Sequence, residues 1–117
     1  METPTTQFHI TVDKAAAQLP EQTADQLRFA TMLKRESLLV ELYAPQGHDD
    51  QTPHRQDELY VVISGRGEFV NGAERHTFQP GDVLFVPAGV VHRFENFSDD
   101  FQTWVIFYGP EGGERTE

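Results

Sequence analysis

The stretch PGDVLFVPAGVVHRFEN, Pro80 to Asn96, sets one histidine, His92, among short apolar runs punctuated by two prolines and two glycines. Proline fixes φ and glycine opens the positive-φ region that tight turns use, so the backbone around this imidazole is held as a metal site requires. A second stretch, GHDDQTPHRQDELYVVISG from Gly47 to Gly65, carries two further histidines, His48 and His54, among carboxylates and carboxamides. The chain has no cysteine, which excludes disulfides and thiolate sites and leaves nitrogen and oxygen donors for any ion.

The spacing in both stretches resembles the paired motifs of the cupin superfamily, small β-barrels that commonly hold a divalent metal. Gly81, Pro87, Gly89, His92 and Asn96 fill every position of that family's second motif. In the first motif His54, Glu58 and Gly65 stand at the family spacing and Gly47 begins the segment one residue late, while the position of the first histidine is taken by Thr52. Fifteen residues separate Gly65 from Gly81, a compact gap like that of small single-domain bacterial cupins.

The resemblance implies that His54, Glu58 and His92 are metal ligands, that Gly65, Gly81, Pro87 and Gly89 shape the turns, and that Asn96 braces the backbone nearby. Two imidazoles and one carboxylate suit non-haem Fe(II) and catalytic zinc alike, and Mn or Ni could be held equally well. Residues four apart on a straight strand lie roughly 13 Å apart, so His54 and Glu58 can converge only if the chain turns through Arg55-Gln56-Asp57. Thr52 is a poor ligand at neutral pH. Its place is open to water, to substrate, or to a substitute donor from the preceding loop, with His48, Gln51 and Asp50 as candidates. Thr52, Tyr60, Phe94 and Trp104 are expected to line the pocket, Tyr60 because it shares a strand face with Glu58 and Phe94 because it shares one with His92.

These residues need strands and turns to aim them. Short apolar segments at 8–12, 26–33, 37–44, 58–65, 67–71, 75–79, 82–87, 92–96 and 101–109 read as strands, joined by punctuators such as SGRG, NGAE, QPGD and VPAG. Asp13 to Pro20, with three alanines behind an Asp N-cap, reads as one short helical turn. Glu58 to Ile63 is apolar on both faces, so a second sheet, a loop or a subunit should cover the outer one. The expectation is an all-β chain, which the resemblance narrows to the cupin double-stranded β-helix or jelly roll. It is read as a single domain over residues 1–117, with a core barrel over about 26–109 and a flexible tail over 110–117.

At 117 residues the chain has surface for one core. A net charge of −10, from 19 acidic against nine basic residues, argues against nucleic acid and anionic membranes as partners. No segment reads as a signal peptide or membrane span, so a cytoplasmic protein is expected. The two-faced strands point to a homodimer. Three functions remain open: a metal-dependent enzyme, oxygenase or isomerase, acting on a small molecule; a binding or sensor barrel, with or without metal; and a structural barrel that has lost its ion.

Overall fold

A computed structural model describes residues 9–24 and 26–115. One short helix, α1 (Val12–Ala16), precedes eight strands: β1 (Phe29–Arg35), β2 (Leu38–Tyr43), β3 (Asp57–Ser64), β4 (Gly67–Asn71), β5 (Glu74–Phe78), β6 (Val83–Val86), β7 (His92–Glu95) and β8 (Gln102–Tyr108). They form a five-stranded sheet in the order β1-β2-β8-β3-β6 and a three-stranded sheet in the order β5-β4-β7. Every named pairing is antiparallel.

The period of two decides which side chains meet between the sheets. On β8, Thr103, Val105 and Phe107 are buried while Trp104 and Ile106 alternate with them on the other face. On β3, Glu58, Tyr60 and Val62 are buried, and register pairs Glu58 with Phe107 and Tyr60 with Val105. Phe69, Phe78, Phe94 and Phe101 fill the same interior, with Tyr60 and Phe69 each within 4.8 Å of the Phe94 ring centroid. Each such ring, once fully buried, contributes roughly 1.5–3 kcal/mol.

The outer face of the larger sheet is partly covered by the N-terminal segment. Ala15, Ala30, Met32 and Leu42 form a second cluster with Ile10, Leu19, Ile63 and Trp104 around it. The strand expected at 8–12 is therefore corrected: Val12 opens α1, and Phe8 lies outside the described residues. The N-cap is Thr11 in place of the expected Asp13, its hydroxyl accepting the Lys14 N–H at 3.1 Å, because a cap there turns Ala15 onto the sheet. Gly112 donates to the Arg55 carbonyl at 2.7 Å and Glu114 to Asp57 Oδ2 at 2.8 Å, so residues 110–115 fold back onto the start of β3.

Gly65 shows what one motif glycine does. Its φ is +89°, and a Cβ built there would lie 2.5 Å from the Phe101 Cα, so the strands can approach at this corner only over a bare backbone. Among the described residues no helix is long and apolar enough to cross a membrane.

Candidate metal centre

His54 precedes β3 on an irregular segment, the chain bends at Arg55-Gln56, and Asp57 starts the strand, which puts Glu58 on the inner face one residue later. His92 opens β7 after the Pro87-Ala88-Gly89 turn, in which Val90 N–H reaches the Pro87 carbonyl at 3.2 Å and Gly89 N–H reaches the His54 carbonyl at 2.7 Å. Ligand atoms of His54, Glu58 and His92 all lie within 4.8 Å of one another. Glu58 is 0% exposed and His92 2%, while the His54 ring keeps 32% of its side-chain surface, so the group is reached from the His54 side.

Glu58 Oε1 lies 3.0 Å from His54 Nδ1 and 3.3 Å from His92 Nε2. The second of these is a charge contact without hydrogen-bond direction, and both Glu58 Oε2 and His92 Nε2 are buried with no hydrogen-bond partner among the described residues. Orphaned polar atoms in a dry interior are costly, and a cation bound between them would satisfy both. His92 Nδ1 donates to the Val90 carbonyl at 2.9 Å, which fixes the tautomer and directs the Nε2 lone pair toward Glu58. The residues present therefore fit a divalent ion.

Electrostatics agree with that geometry. Burial alone would raise the Glu58 carboxyl, but polar contacts from His54, then His92 and Tyr60, outweigh it and hold its pKa at about 2. Burial works to lower His92, yet the contact with Glu58 and the bond to Val90 leave its pKa above the ordinary value. Burial, reinforced by the Glu58 charge, pushes the Tyr60 phenol well up, so it stays a proton donor.

The other expected site residues fall into two groups. Tyr60 and Phe94 are buried inside the barrel, Tyr60 with its ring centroid 6.1 Å from that of His92. Gln51 joins them: its Nε2 donates to Asp49 Oδ2 at 2.7 Å, which turns its Oε1 to accept the Tyr60 hydroxyl at 3.1 Å. Because a carboxylate can only accept, Asp49 determines which end of the Gln51 amide faces inward.

His48, in contrast, is exposed and paired with Asp50 at 3.0 Å, which corrects its expectation as a substitute ligand. Thr52 is exposed as well. Trp104 faces the second cluster on the outer side of the sheet, a correction that follows from the alternation of β8, where Thr103 and Val105 take the inward positions. Gly81 and Gly89 both adopt positive φ at turns, and Pro87 accepts within the second of them. Asn96, at φ +52° beyond the far end of β7, donates to Glu68 Oε1 at 3.0 Å.

Sequence reasoning missed Asp49 and Glu41. Asp49, only 7% exposed, accepts from Tyr43, Gln51 and the Phe94 N–H, and so ties the loop to β2 and β7. Glu41 shares the inward register of β2 with Leu39 and Tyr43, and accepts from Thr31 Oγ1 at 3.3 Å. Burial raises its pKa, and the Glu58 charge adds to the shift. The signal for Glu41 was the alternation Leu39-Glu41-Tyr43 in a strand whose inner face was not yet known.

A cupin-domain family model matches residues 39–108. An uncharacterised protein of Streptomyces coelicolor is 39% identical over 93 residues, 78% of this chain and 89% of that protein. Acireductone dioxygenase of Pseudomonas aeruginosa is 34% identical over 68 residues, 54% of this chain but only 38% of the enzyme. Among solved structures, a Klebsiella pneumoniae protein with a double-stranded β-helix domain superposes with a TM-score of 0.69 at 20% identity, covering 89% of this chain and 92% of that one. The family match begins inside β2 and closes on the last residue of β8, taking in both ligand-bearing turns, and the chain belongs to the cupin family.

Proposed function

We propose that this cupin is a metal-dependent enzyme acting on a small organic molecule, with one divalent transition-metal ion held by His54, Glu58 and His92. The observation that carries the reading is the pair of buried donor atoms, Glu58 Oε2 and His92 Nε2, unpartnered among the described residues and belonging to a trio whose ligand atoms, His54 included, lie within 4.8 Å of one another. Gln51 Oε1 is the fourth donor in this reading, taking the place that Thr52 leaves, and Asp49 holds it in orientation. The bound ion would supply a Lewis acid with open positions for substrate or O₂. The chain's own residues then do the rest: Tyr60 keeps a proton beside the ion, Glu41 offers a second carboxyl on the same face, and Phe94, Phe69 and Phe107 exclude water.

The similarity to acireductone dioxygenase favours O₂-dependent chemistry on an enediol or a related oxygen chelate over isomerisation. The protein is further proposed to work as a homodimer. Val83 and Phe85 on edge strand β6 are 61% and 46% exposed, beside half-buried Leu59 and Val61 on the same outer face.

Elemental analysis of untagged protein tests the metal. Near-stoichiometric Fe, Mn, Ni or Zn is expected, and His92→Ala or Glu58→Gln should release it. Oxygen uptake with enediols, catechols, keto acids and thiols then separates an oxygenase from a binding barrel. Metal without turnover on any of these would favour the binding or isomerase reading, and absence of metal after supplemented growth would end the metal reading.

A further inference from the structure

We propose that Asp57 is a positioning residue of this centre, clamping the turn that carries His92 and the C-terminal tail onto the turn that carries His54 and Glu58. The inference rests on the metal reading above.

Glu58 and His92 belong to different sheets, since β3 lies in the five-stranded sheet and β7 in the three-stranded one. No backbone ladder between those strands sets the separation of the two side chains. Their relative placement rests on the packing of rings between the sheets and on contacts between the turns beside them. Asp57, 6% exposed and adjacent to Glu58, supplies a side-chain contact between those turns. Its Oδ1 accepts the Ala88 N–H at 3.0 Å and its Oδ2 the Glu114 N–H at 2.8 Å. Two backbone bonds run parallel to these, Gly89 to the His54 carbonyl and Gly112 to the Arg55 carbonyl, each at 2.7 Å.

Three segments distant in sequence are thus tied at one carboxylate. A neutral carboxamide could accept only one of the two bonds and would set an N–H against the other. The tail's fit is close. A Cβ at Gly113 would lie 2.7 Å from Asp57 Oδ1 and 3.4 Å from the Ala88 Cβ, so only glycine lets the tail pass over the clamp. The tail and both turns also wall a cleft of about 480 Å³, lined in part by His54, Ala88, Gly89 and Gly112, on the exposed side of the centre.

The test is Co(II) titration of the full chain, read by visible absorption, with amide hydrogen exchange on the metal-free protein. Asp57→Ala should weaken Co(II) binding by roughly 10- to 100-fold, as loss of a group that orients ligands does. Asp57→Asn should fall between it and the parent, and Gly113→Ala should disturb the tail with a smaller loss. Met32→Ala, a core change in the separate cluster on the outer face of the larger sheet, serves as a control for general destabilisation and should leave Co(II) affinity as it is. In Asp57→Ala the Ala88 and Glu114 amides should lose protection while the β4–β5 ladder keeps it.

Co(II) binding by Asp57→Ala within twofold of the parent would overturn the proposal, as would an equal loss in Met32→Ala or unchanged protection at Ala88 and Glu114. Should Asp57→Ala not fold, Asp57→Asn carries the same comparison. A parent that binds no Co(II) would defeat the metal reading and the positioning role together, whereas a binding parent with an unaffected Asp57→Ala defeats the positioning role alone.

Discussion

Glu58 and His92 have their pKa values displaced in opposite directions, and that fixes how metal loading should depend on pH. With Glu58 held at about 2, its carboxylate is ready throughout the working range. His92, raised by its contact with Glu58 against the effect of burial, holds a proton more tightly than an ordinary imidazole, and an ion must compete with that proton. Zinc or Co(II) affinity should fall as pH drops from 8 to 6, with protons taken up on metal release, measurable by titration in buffers of different ionisation heat. In the metal-free protein the two shifts have opposite linkage. The stability from Glu58 is present above its ordinary 4.5 and lost as pH falls through about 2. That from His92 is present below 6.5 and lost as pH rises through its raised value. Glu41 gives a third test. Its raised pKa means that its contribution is present below 4.5 and lost as pH rises, so Glu41→Gln should raise the thermal midpoint at pH 8 and change little at pH 4. His92, with its flanking Pro87 and Gly89, was legible in the sequence because turn chemistry is local. Asp49, Glu41 and Asp57 were not, because a buried carboxylate and a solvated one are written with the same letter and differ only in what the fold brings to them.

At the scale of elements, Gly65 and Thr11 mark opposite outcomes of reading the chain. The expected strands after residue 26 formed with boundaries moved by a few residues, since glycine- and proline-rich turns separate them. Gly65→Ala should destabilise by roughly 2 kcal/mol or more, adding a positive-φ penalty to a clash with backbone, and denaturant unfolding would measure it. The segment Phe8 to Val12 reads as a strand because apolar Phe8, Ile10 and Val12 alternate with polar His9 and Thr11, yet Val12 belongs to a five-residue helix, too short to show a 3.6 period. Thr11→Ala should cost about 1 kcal/mol by removing the cap that starts it. Trp104 was assigned to the pocket for want of knowing which face of β8 turns inward. The alternation itself was legible and its phase was not, because the phase depends on which sheet lies opposite.

Across the whole molecule, the larger sheet has one face on the barrel interior and the other partly under α1, with Val83 and Phe85 exposed on its β6 edge. Phe85→Asp should favour monomers in light scattering if that face joins two copies, at little cost to the fold of a residue already 46% exposed. The net charge of −10 gives a field that attracts cations at long range, so metal association should slow as salt is added. The separation of Glu58 and His92 between two sheets has one more result. An ion bound to both would rivet the sheets across the barrel, and parting them would mean ejecting it. The loaded protein should accordingly unfold slowly, and a chelator should speed its unfolding more than it changes its shape.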